Sequence, residues 1–302
     1  MVMSEKIAEV QDIKPINVVT WKDKLEAYKK RPLSLFLLIA VTLSAGITVA
    51  VLGALIIYIL ANGIMNLTPE LFAWKYTTEN VSMLPAIINT VLMTALSLLI
   101  AVPIGICSAI YLVEYAKRGN KLVNVVRITT ETLSGIPSIV YGLFGMLFFV
   151  TTLQWRLSLL AGSFTLAIMV LPTIMRTTEE ALLSVPDSYR EGSYGLGAGK
   201  LRTIVKVILP SATPGILAGI ILAVGRIVGE TAALLYTSGS ASGLANGLMS
   251  SGRTLAIHMY VLANEGLHTD QAWATAVVLL VLVLLINTLS AFIAKKLTSK
   301  NK

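Results

Sequence analysis

The sequence predicts an all-α polytopic membrane protein with six transmembrane helices. Of its 302 residues, 55% are hydrophobic and only 13% are charged. The mean hydropathy of +0.78 is far above that of a water-soluble domain. The apolar residues form long stretches, and most of the charges lie in the polar segments between them. A chain of this composition faces lipid over much of its surface.

The first 83 residues divide into a polar leader, a transmembrane helix and an external loop. Residues 1–33 are basic, and we expect a cytoplasmic segment, either an interfacial helix or a disordered leader. Residues 34–83 begin with an apolar stretch that exceeds the ~20 residues needed to cross a bilayer as a helix. They end in a polar part with Trp74 and Tyr76, and such aromatic residues favour a membrane interface.

Five further apolar stretches lie within residues 84–296, and each predicts one transmembrane helix. Pro137 with Ser138 predicts a break or bend in the second of the five. Residues 237–270 are polar and rich in glycine and predict an external segment, and residues 297–302 predict a cytoplasmic tail. The five stretches are residues 84–113, 128–151, 161–178, 208–236 and 271–294.

The distribution of basic residues predicts the orientation. With the N terminus inside, inner segments hold 20 of the 24 lysine and arginine residues, and outer segments hold Lys75, Arg156 and Arg253. Cytoplasmic loops carry such an excess. We therefore expect both termini and residues 184–207 in the cytoplasm. The net charge of +8 then reflects topology and anionic membrane lipids, and not a nucleic-acid partner.

Residues 184–207 form an unusually long polar and basic segment between two apolar stretches. Asp187 or Ser188 is expected to cap a short helix there. The alternating glycines of residues 195–199 are poor helix formers, so they should end this helix and turn the chain back toward the membrane. A short helix that stands off the bilayer suits a socket on another protein, although a solvated loop is the simpler alternative.

The same segment contains a spaced signature. Its residues are Glu191, Gly192 and Ser193, then Gly197 after three residues, then Val207 after nine, and Leu209 with Pro210 after one more. The signature resembles the cytoplasmic coupling loop of ABC importer permeases, E-A-A, three residues, G, nine residues, I, one residue, L-P. The resemblance implies that residues 188–198 dock as a helix on a separate ATPase. The implied contact residues are Tyr189, Arg190, Glu191, Gly192, Ser193 and Gly197.

The chain carries no nucleotide site of its own in this segment. A phosphate-binding loop would need glycine five residues before the pair Gly199 and Lys200, and Ser or Thr after it. Tyr194 and Leu201 occupy those positions. The chain is therefore not expected to be an enzyme or to bind a cofactor, and a partner ATPase would use ATP and Mg²⁺.

A metal site is not expected either. His258 and His268 lie in the predicted external segment, but they are not spaced as helical i, i+4 ligands. Cys107 is the single cysteine, which excludes a disulfide within the chain. It is most simply a small packing residue.

Arg226 and Glu230 are the charges that point to a substrate pathway. They are four residues apart inside an apolar stretch, which predicts that both lie on one face of a helix. Each central charge costs about 2.5–3.5 kcal/mol to insert, so a pair suggests a function. Arg226 would present its planar fork to a tetrahedral oxyanion while Glu230 orients it. The structural alternative is that the two charges neutralise each other, or that they hold Glu131 or Arg176 of other helices in place.

Three strings together resemble the A-type permease subunit of the high-affinity phosphate ABC importer: IPSIVYGLFG at 136–145, LPTIMRTTEEALLSVPDSYREGSYGLGAGK at 171–200 and GRIVGETAALLYT at 225–237. Ala233 stands where the family tends to have proline, and Leu255 with Ala256 where it tends to have Leu-Pro. The resemblance implies a type I importer fold over residues 84–296. It also implies that Arg226 is the pathway arginine, with Glu230, Arg176 and Glu179 as supporting charges.

The family resemblance implies a function and its partners. The chain would move inorganic phosphate across the cytoplasmic membrane of a prokaryote. It would assemble with a homologous second permease, a dimer of ATPase subunits and an extracytoplasmic phosphate-binding protein. Two alternatives stay open: a permease for another oxyanion, such as sulfate, molybdate or phosphonate, and a stand-alone secondary transporter.

Overall fold

The computed structural model describes residues 31–117 and 119–299. Most of the predicted N-terminal segment, residues 1–33, and the end of the predicted tail, residues 297–302, lie outside this part. The described residues form eleven α-helices, extended in places by π-helical and 3₁₀ turns, and contain no β-strand. Five of the helices are long and apolar enough to cross a membrane.

The chain divides into two units at Tyr58. The division falls inside the first helix, α1 (Pro32–Gly63), which is apolar along its whole length. Its 32 residues exceed the ~20 needed to cross a bilayer, so the prediction of a first transmembrane helix is confirmed. The described part of the first unit consists only of this helix up to Tyr58.

The second unit begins at Ile59 and contains the other helices. Its central element is α5, whose apolar part is mostly buried by neighbouring helices. Small residues allow this approach: Gly105 of α2 meets Ile174 of α5, and Gly219 of α8 meets Thr177 of α5, so closely that a Cβ at either glycine would overlap the neighbour. The helices that follow α1 are α2 (Leu84–Ile110), α3 (Lys121–Ser134), α4 (Ser138–Gly145), α5 (Leu159–Leu183), α6 (Asp187–Gly195), α7 (Lys200–Thr203), α8 (Leu209–Val228), α9 (Ala232–Thr237), α10 (Leu255–Glu265) and α11 (Thr269–Ser299).

The predicted break at Pro137 is confirmed. The chain bends by 103° between α3 and the segment Ser138–Thr152, which joins α4 to a π-helical turn. Proline cannot continue the helix hydrogen bonding, and its fixed φ begins the next helix in a new direction. The third of the six predicted spans is therefore a bent pair of helices, and the count of six holds when this pair is taken as one crossing.

The predicted fifth span is corrected. Residues 208–236 do not form one helix, because α8 ends at Val228 and α9 begins only at Ala232. Gly229, which caps the end of α8, is followed by two residues outside any helix. The periodicity of apolar residues continues across this break, and for that reason the sequence alone does not reveal it.

The predicted external segment is partly helical. Residues 237–270 contain α10, which packs against α2 and α11 and buries Leu255, Ile257 and Leu262. The preceding loop is tied to the N-terminal end of α5: the backbone N–H of Leu159 donates to the carbonyl of Ser250 at 3.0 Å. Because α6 follows the C-terminal end of α5, this loop and α6 lie at opposite ends of the second unit.

Candidate functional site

The short helix predicted in the polar segment is α6, Asp187–Gly195. It follows the C-terminal end of α5 after a turn of three residues. The capping prediction is wrong, because the N-cap residue is Pro186 and no side chain caps the helix. Asp187 lies in the first turn and accepts a hydrogen bond from Nη1 of Arg190 at 3.2 Å. The carboxylate stays favourable there because it faces the positive end of the helix dipole.

Arg190 holds α6 against the rest of the second unit. Its Nε and Nη2 donate to one carboxylate oxygen of Glu114 at 3.1 and 2.8 Å. Nη1 also donates to the carbonyl of Val185 at 2.8 Å, and Nη2 to that of Leu182 at 3.0 Å. The side chains of Arg190 and Glu114 are only 14% and 5% exposed. This clamp joins α6 to the ends of α2 and α5.

The clamp changes the interpretation of the predicted contact surface. Arg190 was expected to face a partner protein, but its guanidinium points into the second unit. Glu114, its partner, was not among the predicted residues. The signal in the sequence was weak: one acid at the end of an apolar stretch, just before a cluster of basic residues.

With Arg190 turned inward, the surface left for a partner protein is an exposed face of α6 together with the turn that follows it. Tyr189, Glu191 and Gly192 are exposed, and Ser193 is half-buried because its hydroxyl lies 2.9 Å from that of Thr203. The turn adds two apolar residues that sequence reasoning missed, which are Leu196, 91% exposed, and Leu201. Together with the exposed ring of Tyr189, these leucines give the loop an apolar surface that suits contact with another protein.

The glycine turn confirms the predicted end of the helix. Gly197 has φ of +79°, a left-handed conformation in which other residues are strained. It follows Leu196, the C-cap residue, in the position where glycine commonly ends a helix. The chain then enters α7 and a π-helical turn and returns to the apolar part of the second unit.

Two of the four predicted pathway residues lie near the end of α5 that leads into α6. Nε of Arg176 donates to Glu180 at 3.0 Å, and both side chains are more than half exposed. Glu179 forms an ion pair with Arg127 of α3. These two residues and their partners, Glu180 and Arg127, line a cavity of about 310 Å³ together with Glu131. With three carboxylates and two guanidinium groups, this lining does not favour an oxyanion.

The other two pathway residues do not form the expected pair. Glu230 lies beyond the end of α8, is 8% exposed, and accepts a hydrogen bond from the backbone N–H of Ala233 at 3.1 Å. It therefore stabilises the first turn of α9. Arg226 is half-buried in the last turn of α8, and within residues 31–117 and 119–299 no carboxylate forms an ion pair with it.

The surroundings of Arg226 include Tyr141 of α4, which lies within range of its charge. The Tyr141 hydroxyl donates to the carbonyl of Leu133 at 2.8 Å and so spans the bend between α3 and α4. A half-buried arginine without a carboxylate partner keeps its planar set of donors available. Of the two arginines among the four residues, Arg226 is the one that no carboxylate pairs with in the described part of the chain.

The family model and the relatives that this chain resembles are all transport permeases. Residues 101–301 match the family described as "Binding-protein-dependent transport system inner membrane component". The chain is 33% identical over 284 residues to the probable ABC transporter permease protein YqgI of Bacillus subtilis, covering 85% of this chain and 95% of the relative. It is 37% identical over 233 residues to the phosphate transport system permease protein PstA of Pasteurella multocida, covering 76% and 82%. A PstA 1 protein of Mycobacterium tuberculosis is 36% identical over 214 residues, covering 69% of each chain.

Solved structures agree on the fold. A bacterial ABC transporter involved in the import of the acidic polysaccharide alginate superposes with a TM-score of 0.63 at 17% identity, covering 90% of this chain and 98% of the other. The MetNI methionine ABC transporter in an inward-facing conformation gives 0.55 at 21% identity, covering 71% and 94%. The predicted all-helical permease fold is confirmed. The chain belongs to the family of binding-protein-dependent transport system inner membrane components.

Proposed function

We propose that the chain is the transmembrane permease subunit of an ATP-driven importer of inorganic phosphate. The observation that carries the proposal is α6, a short helix with an exposed face that is fixed to α2 and α5 through the buried Arg190 and Glu114. A solvated loop needs no such clamp. Relatives named as phosphate transport permeases, at 36–37% identity, support phosphate as the substrate.

The energy for transport would enter through α6. We propose that residues 184–207 form the coupling loop of a permease domain in residues 84–296, and that a dimer of ATPase subunits binds the exposed face of this loop. ATP and Mg²⁺ would be used by that partner. Movement of α6 would reach α2 and α5 directly, because Arg190 bonds to Glu114 and to the backbone of both Val185 and Leu182.

The same proposal includes the other partners and the location. A homologous second permease would complete the pathway, and an extracytoplasmic binding protein would deliver phosphate. The chain would lie in the cytoplasmic membrane of a prokaryote with both termini in the cytoplasm. The excess of basic residues in the segments on the side of α6 supports this orientation.

Within the pathway, Arg226 would bind the oxyanion through its planar fork. Glu230 would act indirectly, since it holds α9 at the point where α8 ends. Arg176 and Glu179 would be structural at the cytoplasmic end, because each is already paired with a neighbour of opposite charge. This assignment narrows the substrate site to Arg226 among the four predicted residues.

Substitutions at Arg226 and Glu230 test the pathway. Uptake of radiolabelled phosphate should be lost in Arg226→Gln and reduced in Arg226→Lys, because lysine keeps the charge without the fork. Glu230→Gln should retain most uptake, since the amide oxygen still accepts from Ala233. Normal uptake by the double variant Arg226→Gln with Glu230→Gln would refute the anion-binding role. Membrane content of the assembled complex is the control for each variant.

Competition experiments separate the alternatives. A permease for another oxyanion would show uptake that sulfate, molybdate or phosphonate inhibits more strongly than phosphate. A stand-alone secondary transporter would purify without an ATPase and would not require the exposed face of α6. We expect Glu191→Lys, which reverses a charge on that face, to abolish uptake while the chain stays in the membrane.

A further inference from the structure

A second arginine without a carboxylate partner lies at the end of the second unit opposite α6. Arg253 precedes α10 and is 3% exposed. Its guanidinium lies 4.7 Å from the centre of the Tyr76 ring. Its Nε and Nη2 are buried, and among residues 31–117 and 119–299 no hydrogen-bond partner reaches either nitrogen. The sequence predicted this residue in an external polar segment.

A buried guanidinium without hydrogen-bond acceptors destabilises the fold. The face of Tyr76 offers some electrostatic compensation, but an aromatic ring does not replace acceptors for buried N–H groups. Buried charges in proteins are normally both paired and hydrogen-bonded. Such a group therefore suggests a ligand that supplies acceptors.

His258 completes the cluster. It lies in the first turn of α10, is 0% exposed, and packs edge-on against Tyr76 with ring centres 6.3 Å apart. Both ring nitrogens are buried. The backbone of Val81 lies close enough to bond one of them, and the other has no hydrogen-bond partner in the described part of the chain. Burial, together with the charge of Arg253, lowers the pKa of His258 to about 3. The ring is thus neutral at physiological pH, with one N–H donor and one acceptor nitrogen.

The backbone around Arg253 is fixed by other contacts. The N–H of Arg253 donates to the carbonyl of Ala241 at 3.1 Å, and its carbonyl accepts from the side-chain amide of Asn89 at 3.3 Å. Two residues further on, the N–H of Leu255 donates to the hydroxyl of Thr90 at 2.8 Å. These contacts with α2 hold the position of Arg253, so its side chain cannot reach solvent by a simple shift of the loop.

We propose that Arg253 and His258 form an oxyanion site in which His258 selects hydrogen phosphate over sulfate. Hydrogen phosphate offers acceptor oxygens to Arg253 and a P–OH group that can donate to the acceptor nitrogen of His258. Sulfate is fully ionised at neutral pH and offers acceptors only. Tyr76 covers the guanidinium and lies in the loop before α2, so an anion reaches the site when this ring moves aside. The inference rests on the proposed function for the identity of the anion.

The first test separates ligand binding from structural support. In the complete importer, Arg253→Met should lower uptake at low phosphate concentration by roughly tenfold, because a charge-assisted contact is lost. The thermal midpoint of the same purified complex should stay equal or rise, because the variant removes a buried charge without a partner. Arg156→Met, which removes an exposed arginine between α4 and α5, is the matched control and should change neither quantity.

The second test addresses selectivity. His258→Met removes both ring nitrogens at similar volume, whereas His258→Gln keeps one donor and one acceptor. We expect sulfate to inhibit phosphate uptake in His258→Met but not in the wild type or in His258→Gln. If sulfate inhibits phosphate uptake equally in both variants, or in neither of them, the proposed role of His258 is wrong.

The remaining outcomes distinguish this inference from the proposed function. If another oxyanion competes better than phosphate in the wild type, and Arg253→Met weakens its uptake, the site stands and the proposed substrate is wrong. If Arg253→Met transports the natural anion at the normal rate, the cluster is satisfied by water only and the inference fails. A fall in thermal midpoint that accounts for the lost uptake would also overturn it.

Discussion

The two ends of the second unit each bury an arginine, and the two are satisfied in opposite ways. Arg190 uses its donors on Glu114, Asp187 and two backbone carbonyls. Arg253 faces an aromatic ring, and two of its nitrogens have no partner in the described residues. A saturated arginine is a structural clamp, whereas one with free donors is a candidate for ligand binding. Arg226 resembles the second kind, since no carboxylate among residues 31–117 and 119–299 pairs with it.

The largest effect is expected from removing the clamp. Arg190→Met leaves Glu114, 5% exposed, without its partner, and breaking such a pair costs about 3–5 kcal/mol. We expect α6 to detach from α2 and the ATPase to be lost on purification. The control is Arg202→Met in α7, which removes an exposed arginine from the same loop. Equal ATPase recovery from the two variants would contradict the clamp.

A smaller effect is expected in the return turn of the loop. Gly197→Ala should destabilise the loop by roughly 1–2 kcal/mol, because alanine is strained at φ of +79°. Gly195→Ala is the matched control, since Gly195 is the last residue of α6 and a Cβ there meets open space. ATP-dependent phosphate uptake should be measured as a function of temperature. Gly197→Ala should lose uptake at a lower temperature than the wild type, whereas Gly195→Ala should not. Indistinguishable profiles would mean that the turn does not limit coupling.

The last effect is a dependence of stability on pH at the end of the second unit opposite α6. The pKa of His258 falls from about 6.5 in the unfolded chain to about 3 in the fold. Below pH 6.5 the unfolded state takes up a proton that the folded state does not. Titration of His258 therefore leaves the stability of the fold unchanged above pH 6.5 and lowers it as the pH falls from 6.5 toward 3.

The fall in stability can be measured as the difference in thermal midpoint between the wild type and a variant that lacks this histidine. As the pH is lowered below 6.5, the thermal midpoint of the wild type should fall relative to that of His258→Met, because methionine has no group that titrates there. His268→Gln, a half-buried histidine in the same external segment, is the control. A constant difference across this pH range would show that His258 does not remain neutral in the fold.

The sequence predicted the positions of the long helices well because their apolar runs are long. It also predicted the bend at Pro137 and the glycine turn after α6, since both depend on local backbone chemistry. It did not predict the partner of Arg190, because Glu114 is 76 residues away and the contact is tertiary. The end of α8 at Val228 was missed for a similar reason. The side chain of Glu230 accepts a hydrogen bond from the backbone N–H of Ala233, three residues later, and so stabilises the start of α9.

Arg253 and His258 show the same limit at the other end of the unit. In the sequence they belong to a polar, glycine-rich segment that predicts exposure. In the fold, Asn89 and Thr90 of α2 hold the backbone of this segment, and the side chains of Arg253 and His258 are buried. Contacts between residues more than 150 positions apart leave no local pattern.

The most direct test of the account is ATP-dependent uptake of radiolabelled phosphate into proteoliposomes that contain the purified complex and its binding protein. We expect uptake that requires ATP, is inhibited by unlabelled phosphate and not by sulfate, and is abolished by Glu191→Lys on the exposed face of α6. Uptake that continues without ATP, or that sulfate inhibits as strongly as phosphate, would contradict the central claim that this chain is the permease of a phosphate importer driven through α6.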